Sequence, residues 1–276
     1  MSLAAEANQT VELPPPAVRR WTRQRVFGHI AMVIWIALGA GLAIYLVTSW
    51  NPDLVARYGP AYLSGLRVTL ILVFVSIVLG AVLSFPLALA RMSTSPAIAW
   101  PAYGYVYFFR GTPLLAQTFL VYYGLGSFRP QLEAVGLWVF FREAWYCAIL
   151  AFTLNTAAYQ AEILRGAIQS VPRGQLEGAA SLGLRKWITF RKIVAPQALI
   201  VALRPYGNEV ILMLKGSAIV AIITVYDLMG ETRRAFSRTF DFQTYIWAAI
   251  IYLVMVEILR ISIDRIERTI TRHLRR

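Results

Sequence analysis

The chain has 276 residues, 58% of them hydrophobic and only 15% charged, with a net charge of +13. A soluble domain of this size carries about a quarter charged residues. A mean hydropathy of +0.58, with the apolar residues gathered in long runs, excludes that class and marks a membrane protein. One cysteine, Cys147, excludes an internal disulfide. No metal-ligand cluster stands in the sequence, and the basic residues sit beside apolar runs, which favours a membrane surface over nucleic acid.

Residues 1–27 are polar, with Pro14, Pro15 and Pro16 before Arg19, Arg20, Arg23 and Arg25. They are expected to form a disordered cytoplasmic basic tail ending in an anchor. A first transmembrane helix is predicted over 28–50, its apolar run extending from about Ile30 to Val47. No cleavage site of small residues follows that run, so an uncleaved helix is expected rather than a signal peptide. Further runs at about 62–90, 98–125, 144–166, 196–223 and 243–263 each reach the ~20 residues that cross a hydrocarbon layer. The expectation is an all-α membrane protein of about six transmembrane helices, closed by a second basic tail at 264–276. Trp50, Trp100, Trp138 and Trp145 fall near run ends, as interfacial aromatic belts do. His29 and His273 lie at opposite ends of the chain and are expected to be interfacial rather than catalytic.

Seventeen basic residues lie in the N-terminal tail, at Arg91, in the 165–195 segment and in the C-terminal end. Six lie in the alternate connections: Arg57, Arg129, Arg142, Arg233, Arg234 and Arg238. The larger set belongs in the cytoplasm, which puts both termini inside. Within 165–195, Leu176, Ala179, Ala180, Leu184, Trp187 and Ile188 recur at three- and four-residue steps, the pattern of an amphipathic helix. Gly183 permits a turn between two short helices, and Pro196 suits the first turn of the next membrane helix. From pattern alone this segment lies on the bilayer surface or meets a partner.

Charged and polar groups at membrane depth are functional candidates. Arg110 falls near the middle of the third run, followed by Gly111 and Pro113, where a broken helix is expected. Its fork matches a carboxylate; the alternative is an internal pair with Glu162 or Glu209. Asn155, Tyr159 and Glu162, at i, i+4 and i+7, share one helix face that lines a path or bonds neighbouring helices, with Arg165 a second partner for Glu162. Asn208 and Glu209 suit a cationic ligand group, with Lys215 as resting partner of Glu209. The 227–242 stretch, with Asp227, Glu231, Arg233, Arg234, Arg238 and Asp241, is read as an exposed outer loop.

The stretch Glu177-Gly178-Ala179-Ala180-Ser181-Leu182-Gly183, followed by Ile193-Val194-Ala195-Pro196, resembles the coupling motif of ABC importer permeases. Gly178 stands where alanine is usual, and Ala195 where leucine is usual. Phe109-Arg110-Gly111-Thr112-Pro113 with Gln117, Asn155-Thr156-Ala157-Ala158-Tyr159 with Glu162-Ile163, and Ser170-Val171-Pro172-Arg173-Gly174-Gln175 resemble the polar amino acid permeases. Asn208-Glu209-Val210-Ile211-Leu212-Met213-Leu214 is similar to the histidine and arginine branch. The resemblance spans about 55–268.

It implies a type-1 ABC permease domain over 62–263: a five-helix core, with the 28–50 helix as an addition and 170–195 as the coupling segment. Glu177, Gly178, Ala179, Ala180, Gly183 and Pro196 would couple to the ATPase. Arg110, Gln117, Asn155, Tyr159, Glu162, Asn208, Glu209 and Lys215 are the candidates for the substrate path. The implied partners are a second permease subunit, itself a different chain, a dimer of ATP-binding subunits, and a periplasmic or lipid-anchored binding protein, which the 227–242 stretch could dock. ATP and Mg would sit on the ATPase and no cofactor on this chain, which lacks a phosphate-binding Gly-x-x-x-x-Gly-Lys-Ser/Thr loop. The implied role is a non-catalytic inner-membrane subunit importing a polar, basic amino acid (histidine, arginine, lysine, ornithine or an opine-like derivative), with glutamine or glutamate as the runner-up. A stand-alone secondary transporter is the rival class; the sequence shows no internal repeat of the kind such transporters carry.

Overall fold

A chain that crosses a bilayer must satisfy its backbone internally, and helices do so within one segment. The computed structural model describes residues 22–274, and among them every regular element is helical. The predicted N-terminal tail falls largely on 1–21, outside the described residues, as do Arg275, Arg276 and the side chain of His273. The chain divides into two units, Met1–Pro52 and Asp53–Arg276.

In the first unit, α1 (Arg23–Thr48) opens on Thr22, whose hydroxyl accepts from the Arg25 amide. Its 26 residues span about 39 Å, enough for the hydrocarbon layer.

The second unit opens within the first turn of α2 (Pro52–Arg91), a single helix of 40 residues. It starts well before the predicted 62, because Asp53 and Arg57 interrupt an apolar run but not a helix. The third run breaks into α3 (Pro96–Gly111) and α4 (Leu114–Phe119). Pro113 causes the break: it lacks an N–H and forces Thr112 into extended backbone. A π-helical turn, Leu120–Gly124, follows, then the short α5 (Arg129–Ala134) and α6 (Trp138–Phe141). The central helix is α7 (Ala144–Gln169). Then come α8 (Arg173–Ser181), α9 (Lys186–Thr189), a π turn over Phe190–Val194, α10 (Ala195–Gly216) and a 3-10 turn over Ser217–Ile223. The last elements are α11 (Leu228–Thr239) and α12 (Gln243–Ile270).

Among the described residues, four helical stretches are long and apolar enough to cross a membrane: α1, α2, Lys186–Ile223 and α12. The other two predicted runs differ for separate reasons. The third is broken at Thr112-Pro113. α7 has the length, but Asn155, Thr156, Gln160 and Glu162 dilute its apolar character. It tolerates them because protein surrounds it: α7 packs against α3, α4 and α10. Ala148, Ala151, Ala157, Ala158 and Ala161 are fully buried, and such small side chains let helices approach closely. The core joins Leu72 and Val73 of α2, Phe152 of α7, Met213 and Leu214 of α10, and Val220 and Ile223.

Pro196 stands in the first turn of α10, as expected, with helical structure continuous from Lys186 to Ile223. One expectation changes: the 227–242 stretch is not a loop, since α11 occupies most of it. Asp227 caps α11, its Oδ1 accepting from the Gly230 amide at 2.8 Å. The cap is fully buried against α2, where any side chain at Gly65 would meet the Asp227 carbonyl at 2.8 Å.

Candidate functional site

At the helix break, the carbonyls at the end of α3 lose their intrahelical partners. Gln117, from α4, folds back over them: its amide nitrogen donates to the Phe109 carbonyl at 2.9 Å, the Thr112 carbonyl at 3.1 Å and the Thr112 hydroxyl at 2.8 Å. Asn155, from α7, donates to the same Phe109 carbonyl at 3.1 Å and to the Gln117 side-chain oxygen at 2.9 Å. Both side chains are buried. The break is therefore a fixed feature, locked by two amides whose principal bonds are all internal.

A second polar layer joins α7 to α10. Glu209 is buried and accepts from the Thr156 hydroxyl at 2.8 Å. Thr156 accepts from Gln160 at 3.0 Å, and Gln160 also donates to the Ile77 carbonyl of α2 at 3.2 Å. Gly80 leaves room for this pair, since a Cβ there would run into Thr156 and Gln160.

The third cluster lies in a cleft between α2, α3 and α7. Glu162 faces three arginines. Arg165 grips it with two nitrogens at 2.8–3.2 Å, Arg91 donates from Nε at 3.0 Å, and Arg110 approaches to 3.7 Å. The Arg110 guanidinium lies over the Tyr159 ring, 5.2 Å from its centroid, and that of Arg91 over Tyr103 at 4.8 Å. Arg91, Tyr103, Tyr107, Arg110, Tyr159 and Glu162 line a cleft of about 380 Å³, within the size range of small-molecule sites.

The predicted path residues thus separate into groups. Arg110, Tyr159 and Glu162 meet in the cleft, while Gln117 and Asn155 meet at the break. Asn208 and Lys215 lie exposed on the outward face of α10. Lys215 forms no pair with Glu209, which corrects the expectation. Six residues along a helix turn the side chain about 120° away, and the cation whose charge reaches Glu209 is Arg110. Sequence reasoning missed Arg91, Tyr103, Thr156 and Gln160 as members of these clusters. Arg91 had been counted only as a loop charge; Thr156 and Gln160, one turn apart on α7, carried a spacing that could have found them.

Beyond the end of α7, α8 and α9 are joined through Gly183, whose φ of +67° is the left-handed conformation glycine favours. The stripe predicted there stands largely exposed, with Leu176, Leu184, Trp187 and Ile188 uncovered and Leu182 79% exposed. Ala179 alone of the stripe is buried. Nothing lies within 4 Å of a Cβ built on Gly178, so glycine and alanine are sterically equivalent at that position.

Outside the spans, burial pushes the Asp227 carboxyl up to about 6, against donation from the Gly230 and Met229 amides and the Tyr252 hydroxyl.

Helices able to span a bilayer, a buried polar interior and an uncovered amphipathic segment are features expected of the membrane subunit of a transporter. The chain matches the family described as "Binding-protein-dependent transport system inner membrane component" over residues 80–276 and belongs to it. It is 43% identical over 224 residues to the nopaline transport system permease protein NocM of Agrobacterium fabrum, covering 81% of this chain and 93% of that one. It is 44% identical to the octopine transport system permease protein OccM of Rhizobium meliloti, over 71% of this chain and 80% of that one. With the arginine ABC transporter permease protein ArtM of Escherichia coli the identity is 36%, over 77% and 95%. Among solved structures, an amino acid ABC transporter with histidines superposes with a TM-score of 0.70 at 36% identity, covering 78% of this chain and 96% of that one. The MetNI methionine ABC transporter shares the fold, with a TM-score of 0.63 at 20% identity over 76% and 96%. The chain is a non-catalytic, multi-pass inner-membrane permease subunit, and its family works with an ATPase and a binding protein.

Proposed function

We propose that this subunit imports a basic amino acid or an opine-like derivative of one, and that it shares the path with a second permease, a different chain. The observation that carries this reading is a pair of polar side chains exposed on α10. Asn208 and Lys215 are exposed within the Lys186–Ile223 span, where a charge facing lipid is costly, while Glu209, buried on the side toward α7, holds a carboxylate for a cationic cargo. Relatives named for nopaline, octopine and arginine support a basic substrate. Arg110 and Tyr159 at the cleft would take the α-carboxylate, while Gln117 and Asn155 hold the break that positions Arg110.

Coupling runs through α8 and α9. Glu177, Gly178, Ala179 and Ala180 would enter a groove on the ATPase, with ATP and Mg held there. Gly183 sets the turn, and Pro196 sits where the segment joins α10. Both termini are assigned to the cytoplasm, α11 to the outer face beneath a periplasmic or lipid-anchored binding protein. The test is reconstitution with the cognate ATPase, second permease and binding protein in proteoliposomes. Arginine, histidine or an opine should stimulate ATP hydrolysis several-fold over basal. Stimulation by glutamine or glutamate alone would overturn the substrate assignment, and import without nucleotide would overturn the class.

A further inference from the structure

The cleft beside Glu162 is unbalanced in a specific way. Arg165 takes most of the carboxylate: it contacts both oxygens and sends its remaining terminal nitrogen to Gln169 at 2.9 Å. Arg165 is not part of the cleft lining. The two arginines that are part of it are left over. Arg91 spends only Nε on Glu162. Arg110 stands 3.7 Å from the carboxylate, too far for a hydrogen bond. Among the described residues, neither the terminal nitrogens of Arg91 nor any nitrogen of Arg110 has a hydrogen-bond acceptor. One carboxylate thus serves three guanidiniums, and the terminal nitrogens of Arg91 and all those of Arg110 remain free to donate.

The forks are also held in place. Tyr103 lies under Arg91 and Tyr159 under Arg110, so each guanidinium is supported by an aromatic ring, and Arg91 also by its Nε bond to Glu162. A guanidinium with its edge free and its face supported is preorganised for bidentate contact with a carboxylate. Arg91 ends α2 and Arg110 stands in the last turn of α3. The forks therefore come from separate helices and face one cleft of about 380 Å³.

We infer that Arg91 and Arg110 together form a receptor for a substrate carrying two carboxylates, with Arg91 the residue that distinguishes such a substrate from a simple amino acid. A simple amino acid supplies one carboxylate and engages Arg110 alone. An N-carboxyalkyl amino acid supplies a second, which Arg91 takes. This deepens the proposed function and rests on it, since both ligands are basic amino acid derivatives entering the same path.

The experiment uses the assembled permease–ATPase complex in nanodiscs, without binding protein, titrated calorimetrically with octopine (two carboxylates) and with arginine (one). The wild type should bind octopine at least about tenfold more tightly than arginine, the scale of one added charge-assisted bidentate contact. Arg91→Gln should bring octopine to the level of arginine while moving arginine less than about twofold. Arg91→Lys, which keeps the charge and the ion pair but loses the fork, should recover only part of the preference. It also guards against a Gln variant that fails to assemble. Equal affinity for both ligands in the wild type, or equal loss of both in Arg91→Gln, would overturn the inference and leave the amino acid permease reading standing. Binding of neither ligand would remove that reading and this inference with it.

Discussion

Two polar clusters flank Arg110 and differ in one respect. On one side, Gln117 and Asn155 spend their amides on each other and on the stranded carbonyls of Phe109 and Thr112. On the other, Arg91 and Arg110 face a cleft with donors unspent. Both clusters are polar and draw on the same two motifs, at 109–117 and 155–163, with Arg91 joining the second from outside them. A saturated cluster holds the fold, because removing a partner strands a buried group; an unsaturated one is available to a ligand. Composition does not separate the two, but hydrogen-bond accounting does.

The sharpest way to break the comparison is to empty the saturated side. Gln117→Leu strands the Thr112 carbonyl and takes away the acceptor of one Asn155 amide hydrogen, while Phe109 keeps Asn155; it should cost about 2 kcal/mol of stability, read as a large fall in the unfolding temperature of the detergent-solubilised complex. Asn155→Leu should cost less, because Gln117 still reaches Phe109. A loss below about 0.5 kcal/mol in both would remove the structural role.

Next in size is a substrate effect without a stability effect. Glu209→Gln keeps the bond to Thr156 through the amide oxygen and removes the charge. Uptake of basic substrates should fall about tenfold, the scale of a lost charge-assisted bond, with neutral substrates little changed in competition assays. Equal loss for both would reject charge recognition there.

A smaller effect concerns the outer helix. Asp227 titrates near 6 in the folded chain, above its unfolded value of about 3.9. Its contribution is therefore full below pH ~3.9 and is lost as pH rises through about 6, with no further change above. Hydrogen exchange at Gly230 should accelerate over that window beyond the intrinsic rate. Asp227→Asn, which retains a capping oxygen, should abolish the pH dependence. The smallest effect is expected of Gly178→Ala: a gain of up to about 1 kcal/mol in α8 from helix propensity with coupled ATP hydrolysis unchanged, because the added methyl meets nothing in this chain.

Much of the fold was legible because apolar runs and bilayer thickness impose it. The break at Pro113 and the turn at Gly183 were legible because proline and glycine act locally. The early start of α2 was not, since hydropathy reports burial in lipid and not helix length. Nor was α11: its four charged residues, with Asp227 and Asp241 beside it, imitate a loop, and only the buried seat of Asp227 beside Gly65 reveals a docked helix. In the site, the residue types were right while the partnerships were partly hidden. Lys215 and Glu209 are close in sequence but point apart on α10. Arg91 lies 71 positions from Glu162, a pairing no local pattern announces.

The central claim is that exposed polar residues of α10 line an aqueous path while the amides at the helix break do not. The direct measurement is cysteine labelling of the assembled transporter with a charged, membrane-impermeant thiol reagent, each variant built into a chain with Cys147→Ala. Asn208→Cys and Lys215→Cys should react, and saturating substrate should slow them, while Asn155→Cys should stay unlabelled. Equal reactivity at Asn155 and Asn208, or labelling of position 215 only by a lipid-soluble reagent, would contradict the account.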